Sequence, residues 1–127
     1  MSSVCHKTPL NNMNIEFLTT QKALCQTSIT IADYVLNTYR GCSFGCVYCY
    51  AKRNKAILKK NKPWGSFVDI KKDFVQVLAR ELKNNSNIKN VLLGSTTECY
   101  QHAEEEHKIT RQVLIELQKY NIPCYIL

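Results

Sequence analysis

Between Asp33 and Asp69 the 127-residue chain carries no aspartate or glutamate. The same window holds Arg40, Lys52, Arg53, Lys55, Lys59, Lys60 and Lys62, as many cations as the whole formal net charge of +7. The rest of the chain is therefore balanced. A local cationic excess attracts phosphates or an anionic cofactor, or it forms a solvated helix face. No stretch reaches the roughly 18 apolar residues of a spanning helix, so that class of membrane protein is excluded. The first residues, Met-Ser-Ser-Val-Cys-His-Lys, have no apolar core of a secretory signal. With 4 glycines and 3 prolines, the composition is neither collagenous nor disordered.

Cysteine, by contrast, is abundant: Cys5, Cys25, Cys42, Cys46, Cys49, Cys99 and Cys124. The number is odd and no secretion signal accompanies it. A reducing, cytoplasmic setting is expected, with clustered thiols serving metal or redox chemistry rather than a disulfide framework.

Residues 1–33 show no sustained period. They read as an irregular lead-in with one short strand near residues 28–31, ahead of a single domain over residues 34–127. Tyr34-Val35-Leu36 is an apolar strand running into Arg40-Gly41-Cys42. Residues 51–60 suit a basic helix, Pro63-Trp64-Gly65 a turn, and Phe67-Val68-Asp69-Ile70 a strand. Asp73 opens a helix with Phe74, Val77, Leu78 and Leu82 at helical spacing, ended by Asn84-Asn85. Val91-Leu92-Leu93 is a strand buried on both faces. Glu104, Glu105 and Glu106 start a further helix, with acids at the positive end of its dipole. Its core face is Ile109, Val113, Leu117 and Tyr120. Cys124 to Leu127 begins another strand. This alternation predicts parallel strands joined by helical crossovers, an α/β fold. Because the sequence stops inside an apolar strand, a fragment of a longer domain is expected.

Cys42, Cys46 and Cys49 form CxxxCxxC, with Gly41 and Gly45 letting the backbone fold back so that three sulfurs can converge. A cubane iron–sulfur cluster has four irons, so three thiolates leave one open for a substrate or cosubstrate. A structural zinc ion needs four closed ligands and would have to recruit His102, His107, Cys99 or Cys124. After the strand at 91–93, Gly94-Ser95-Thr96-Thr97-Glu98 places a hydroxyl and a carboxylate where α/β proteins bind ligands.

The segment Thr38-Tyr39-Arg40-Gly41-Cys42, followed by Phe44-Gly45-Cys46 and Tyr48-Cys49-Tyr50, resembles the cluster loop of radical SAM proteins. The likeness is strongest to the spore photoproduct lyase-like, DNA repair photolyase group. There the loop reads Asn-Pro-Tyr-Arg-Gly-Cys, then His-Gly-Cys and Tyr-Cys-Tyr; here Thr38 takes the place of the proline. The likeness continues through Pro63-Trp64-Gly65 and from Tyr100-Gln101 to Thr110-Arg111, covering about residues 30–127.

The resemblance implies a parallel-stranded, partial (β/α)6 barrel holding about the first four strands. It implies a [4Fe-4S] cluster on Cys42, Cys46 and Cys49, with S-adenosylmethionine chelating the fourth iron. A one-electron donor such as flavodoxin or ferredoxin would drive cleavage to a 5′-deoxyadenosyl radical. Tyr48 would lie near the adenine, and Gly94, Thr97 and Glu98 would hold the cosubstrate. The group usually has Thr-Asp-Pro-Tyr-Gln-Pro at this last segment; Glu98 replaces the aspartate, Cys99 one proline and His102 the other. Spore photoproduct lyase uses a cysteine hydrogen donor on this segment, but the matching position here is Ser95, so thymine-dimer reversal is not implied. Nucleic acid is a candidate partner through the basic window. The rival readings are a zinc-stabilised nucleic-acid-binding module and an inactive remnant that still holds a cluster.

Overall fold

The computed structural model describes residues 12–127; Cys5 and the start of the lead-in lie outside them. The elements run β1 (Asn14–Leu18), β2 (Cys25–Gln26), β3 (Tyr34–Leu36), β4 (Tyr39–Gly41), α1 (Lys55–Leu58), β5 (Phe67–Lys71), α2 (Phe74–Asn84), β6 (Val91–Leu93), α3 (His102–His107), α4 (Ile109–Lys119) and β7 (Cys124–Ile126). Two sheets result, with strand orders β1-β5-β4 and β2-β3-β6-β7.

The sheet topology corrects the expected barrel. Strands β3, β6 and β7 are parallel neighbours, but β2 is antiparallel to β3 and β4 antiparallel to β5. β5 does not enter the parallel sheet. It pairs with β1 instead, register Asn14 with Phe67 through Leu18 with Lys71. The described residues therefore form a mixed α/β arrangement without a closed barrel.

Two local causes explain the miss. Asn37 and Thr38 break the run from Tyr34 to Gly41 into two strands that belong to different sheets. And β1 is an edge strand whose side chains are exposed on both faces apart from Leu18, so it shows no buried alternation. Residues 28–31, expected as a strand, instead form a turn in which the Ala32 amide donates to the Ile29 carbonyl at 3.3 Å.

The helices also differ in detail. The basic helix is a 3-10 turn at Tyr50–Arg53 followed by α1, separated by Asn54 in extended conformation. The helix expected from Glu104 is two helices, broken by Lys108 in the left-handed region (φ 51°). Tyr120 falls beyond α4 and is exposed, while Ile109, Val113 and Leu117 are buried as the spacing predicts. Helix α2 buries Phe74, Val77, Leu78 and Leu82, and packs against α4 over β3 and β6. Complete burial of a side chain such as Leu78 or Phe74 contributes about 1.5–3 kcal/mol.

The segment from Thr20 to Leu24 is tied down by carboxylates on α2 and at its N-terminus. Asp73 accepts the Thr20 amide at 2.8 and 3.1 Å, and Glu81 accepts the amides of Ala23 and Leu24. Strand β1 is tied to the basic window in the same way. Lys60 bridges Glu16 (2.5 Å) and the fully buried Asp69 (2.9 Å), and Lys62 reaches Glu16 at 2.9 Å. Part of the cationic window is thus internal charge balance rather than free surface.

Hydrogen bonds from Lys60 and then Lys62 hold the Glu16 carboxyl at about 2, against an ordinary 4.5. A carboxylate whose folded pKa is depressed stabilises the fold above its unfolded pKa and loses that contribution as pH falls through the folded value. Stability is therefore expected to decline from about pH 4.5 towards 2, and Glu16→Gln should flatten that part of the profile, measured by urea unfolding at stepped pH. An unchanged profile in the variant would remove this ion pair from the account.

Candidate functional site

The site grows from the end of β4. Gly41 adopts φ +82°, and a Cβ there would lie 2.6 Å from the Phe67 carbonyl oxygen, so the close strand approach requires glycine. Two tight turns follow: the Gly45 amide donates to the Cys42 carbonyl (3.3 Å), and the Cys49 amide to the Cys46 carbonyl (3.1 Å). The expected turn at Pro63-Trp64-Gly65 backs this loop. Trp64 donates its indole N–H to the Cys46 carbonyl at 3.1 Å, and a Cβ on Gly65 would meet Gly45 Cα at 2.8 Å.

A buried polar staple joins the loop to the segment after β6. Gln101, only 1% exposed, accepts the Ser43 amide at 2.9 Å and donates to Thr97 Oγ1 (2.8 Å) and the Gly41 carbonyl (3.3 Å). Thr97 Oγ1 donates to the same carbonyl at 2.6 Å. Asn37, in the break between β3 and β4, donates to Ser95 Oγ and accepts the Thr96 amide, both at 3.0 Å. Tyr50 donates its hydroxyl to the Ser95 carbonyl. Sequence reasoning missed the roles of Gln101 and Asn37. Both lie within the resembling segments, but no periodicity marks a buried amide.

Between the two loops lies an open cavity of about 360 Å3, lined by Cys42, Phe44, Cys46, Cys49 and residues 94–98. Of the sequence-predicted site residues, Cys42, Cys46, Cys49, Gly94, Thr97 and Glu98 thus come together. Tyr48 does not line the cavity; its side chain is 70% exposed. Glu98 Oε1 accepts the Tyr100 amide at 3.0 Å, which fixes the carboxylate within its own turn.

Burial pushes the Cys42 thiol upward, and the neighbouring Cys46 and Glu98 add to this. The backbone amides of Phe44 and Glu98 hydrogen-bond towards the sulfur and oppose the shift. Such amide donors are what a buried thiolate ligand needs, and they tune iron–sulfur sites. Among the described residues, no three His, Cys, Asp or Glu side chains converge tightly enough to hold a single metal ion. The three thiols border a space rather than a point.

The residues that zinc would need lie elsewhere. His102 Nδ1 faces Ser43 Oγ at 3.2 Å and its ring lies against Phe44. His107 packs edge-on to Phe17. Cys99 is fully buried, its thiol pushed up to about 11 by burial and then by Glu98, and Cys124 sits in β7. None of these four lines the cavity.

The side of the site away from the cavity rests on Glu104. This buried carboxylate accepts the Tyr39 hydroxyl (2.5 Å), the Thr110 amide (2.8 Å) and the Arg111 amide (3.0 Å), capping the start of α4. Burial and this carboxylate both raise the Tyr39 phenol. Thr110 Oγ1 in turn donates to the Cys99 carbonyl at 2.8 Å and faces Thr38 Oγ1 at 3.1 Å.

No family model matches the chain, and no solved structure matches it. An uncharacterized protein of Methanocaldococcus jannaschii is 32% identical over 100 residues, which is 78% of this chain and 36% of that protein. Uncharacterized proteins of Mycobacterium bovis and Mycobacterium tuberculosis are 35% identical over 98 residues, 74% of this chain and 28% of theirs. The chain thus spans about a third of the length of the curated relatives it matches.

Proposed function

We propose that this chain carries the cofactor-binding part of a radical SAM protein of the spore photoproduct lyase-like group. The observation that supports it is the placing of all three cysteines of one CxxxCxxC loop on a single cavity opposite residues 94–98. Cys42, Cys46 and Cys49 would ligate three irons of a [4Fe-4S] cluster, leaving the fourth for S-adenosylmethionine. Together these groups supply reductive cleavage of the sulfonium to methionine and a 5′-deoxyadenosyl radical, which takes a hydrogen atom from substrate.

The chain's own residues do the rest. Burial of Cys42 limits water at one ligand, and the Phe44 and Glu98 amides stabilise its thiolate. Gln101 and Thr97 fix the loop by holding the Gly41 carbonyl. The Glu98 carboxylate offers a counter-charge for the cosubstrate's ammonium. A reducing cytoplasm suits the free thiols, and flavodoxin or ferredoxin would be the electron donor. No helix among the described residues is long and apolar enough to cross a membrane. Arg53, Lys55 and Lys59 are exposed and form no ion pair among the described residues, which suits nucleic acid as a partner.

The test is spectroscopic. Protein reconstituted without oxygen and reduced with dithionite should give an electron paramagnetic resonance signal that changes shape when S-adenosylmethionine is added. A cluster signal indifferent to saturating S-adenosylmethionine would refute the open-iron assignment.

A further inference from the structure

Beside the cysteine cavity, and sharing Thr96 with it, lies a second cavity of about 190 Å3. Lys22, Arg40 and Lys71 line it, with Asn37 and Asn54, and its lining contains no carboxylate. Three cations around so small a space repel one another unless an anion sits between them.

Each cation is held there for a local reason. Lys71, at the end of β5, donates to the Asn37 carbonyl at 2.7 Å and lies 5.6 Å from the Phe74 ring centre. Burial, and then the charge of Arg40, push its ammonium down to about 8, with Cys25 and Asp69 acting in the opposite direction. Arg40 reaches Asp69 only at 4.0 Å, and that carboxylate is already engaged by Lys60 at 2.9 Å. Lys22 is placed by the adjoining segment, whose Ala23 and Leu24 amides are bound by Glu81, and it has no ion pair among the described residues. Asn54 uses its side-chain oxygen to cap α1, accepting the Ala56 amide at 2.9 Å, which leaves its NH2 free to donate. The Asn37 side chain is committed to Ser95 and Thr96 and serves as wall.

We propose that this cavity is a binding site for a phosphate-type oxyanion, gripped by Lys22, Arg40 and Lys71 with the Asn54 amide. A tetrahedral anion suits donors arriving from several directions, whereas a planar carboxylate is matched by one guanidinium fork. The anion is either a free phosphate or phosphorylated small molecule, or one phosphate of a nucleic-acid backbone. The site stands on its own residues and does not require the cluster.

The test titrates inorganic phosphate into the full chain, without iron, near neutral pH and physiological salt, followed by phosphorus NMR line width. Saturable binding of one phosphate per chain is expected. Lys71→Met should weaken it at least about tenfold, and Lys71→Arg should retain most of it. Lys83→Met with Lys89→Met removes more charge at exposed positions outside the cavity and should leave affinity within about twofold. If Lys71→Met does not fold, Lys22→Met at the same cavity should weaken binding about fivefold. Displacement of the phosphate by a short single-stranded oligonucleotide would support the backbone source; displacement only by small phosphate esters would support the free one. Absence of saturable binding to the wild type, or equal losses in the cavity and outside variants, would overturn the proposal.

Discussion

Replacing Cys42, Cys46 and Cys49 together by alanine is expected to lower iron and sulfide uptake from about four of each per chain to background, with loss of the brown chromophore. The expectation follows from the cavity these three thiols border, whose lining includes no other described cysteine. Cys25 lies on β2, Cys99 is packed in the core, and Cys124 is in β7. Cys25→Ala should therefore keep full uptake, measured by iron and acid-labile sulfide assay after anaerobic reconstitution. Equal uptake by the triple variant would show that metal binds elsewhere. Because Cys42 carries two amide donors and is the most buried of the three, its single alanine variant should lose more than that of Cys49.

Glu104→Ala is expected to destabilise the protein by about 3 kcal/mol, since it strands two buried donors and one half-buried donor at once. These are the Tyr39 hydroxyl beside the cysteine loop and the Thr110 and Arg111 amides at the start of α4. Tyr39→Phe removes one of the three and leaves Glu104 with both amides, so its cost should be about 1–2 kcal/mol. Glu104→Gln keeps the shape but replaces one acceptor oxygen with a donor group, and should fall between them. Urea unfolding of the three variants orders them. An alanine variant as stable as wild type would mean that α4 is anchored by its apolar face alone.

The helices were readable because their burial is periodic, and strand β6 because it is a continuous apolar run. Phe74, Val77, Leu78 and Leu82 sit at helical spacing and are all buried, and Val91 to Leu93 is apolar because both faces of β6 are covered. The cysteine loop was legible from its CxxxCxxC spacing together with its place after a strand and the flanking Gly41 and Gly45. The sheet topology was not, because it turns on features without a hydrophobic signature. Strand β1 is an exposed edge held by Glu16, Lys60 and Lys62. The change of sheet between β3 and β4 is made by two polar residues, Asn37 and Thr38, whose partners come from sequence positions about 58 to 72 away. Glu104 was readable as an acid in a first helical turn, but its role as the cap of the next helix depends on the left-handed turn at Lys108. Polar staples of this kind are long-range and specific, and local patterning does not encode them.

The measurement that bears most directly on the cysteine site is the metal content of the wild-type protein purified without oxygen. Iron with acid-labile sulfide is expected, close to four of each per fully loaded chain and dependent on Cys42, Cys46 and Cys49. Tight stoichiometric zinc without sulfide would contradict this expectation and return the chain to a zinc-stabilised module.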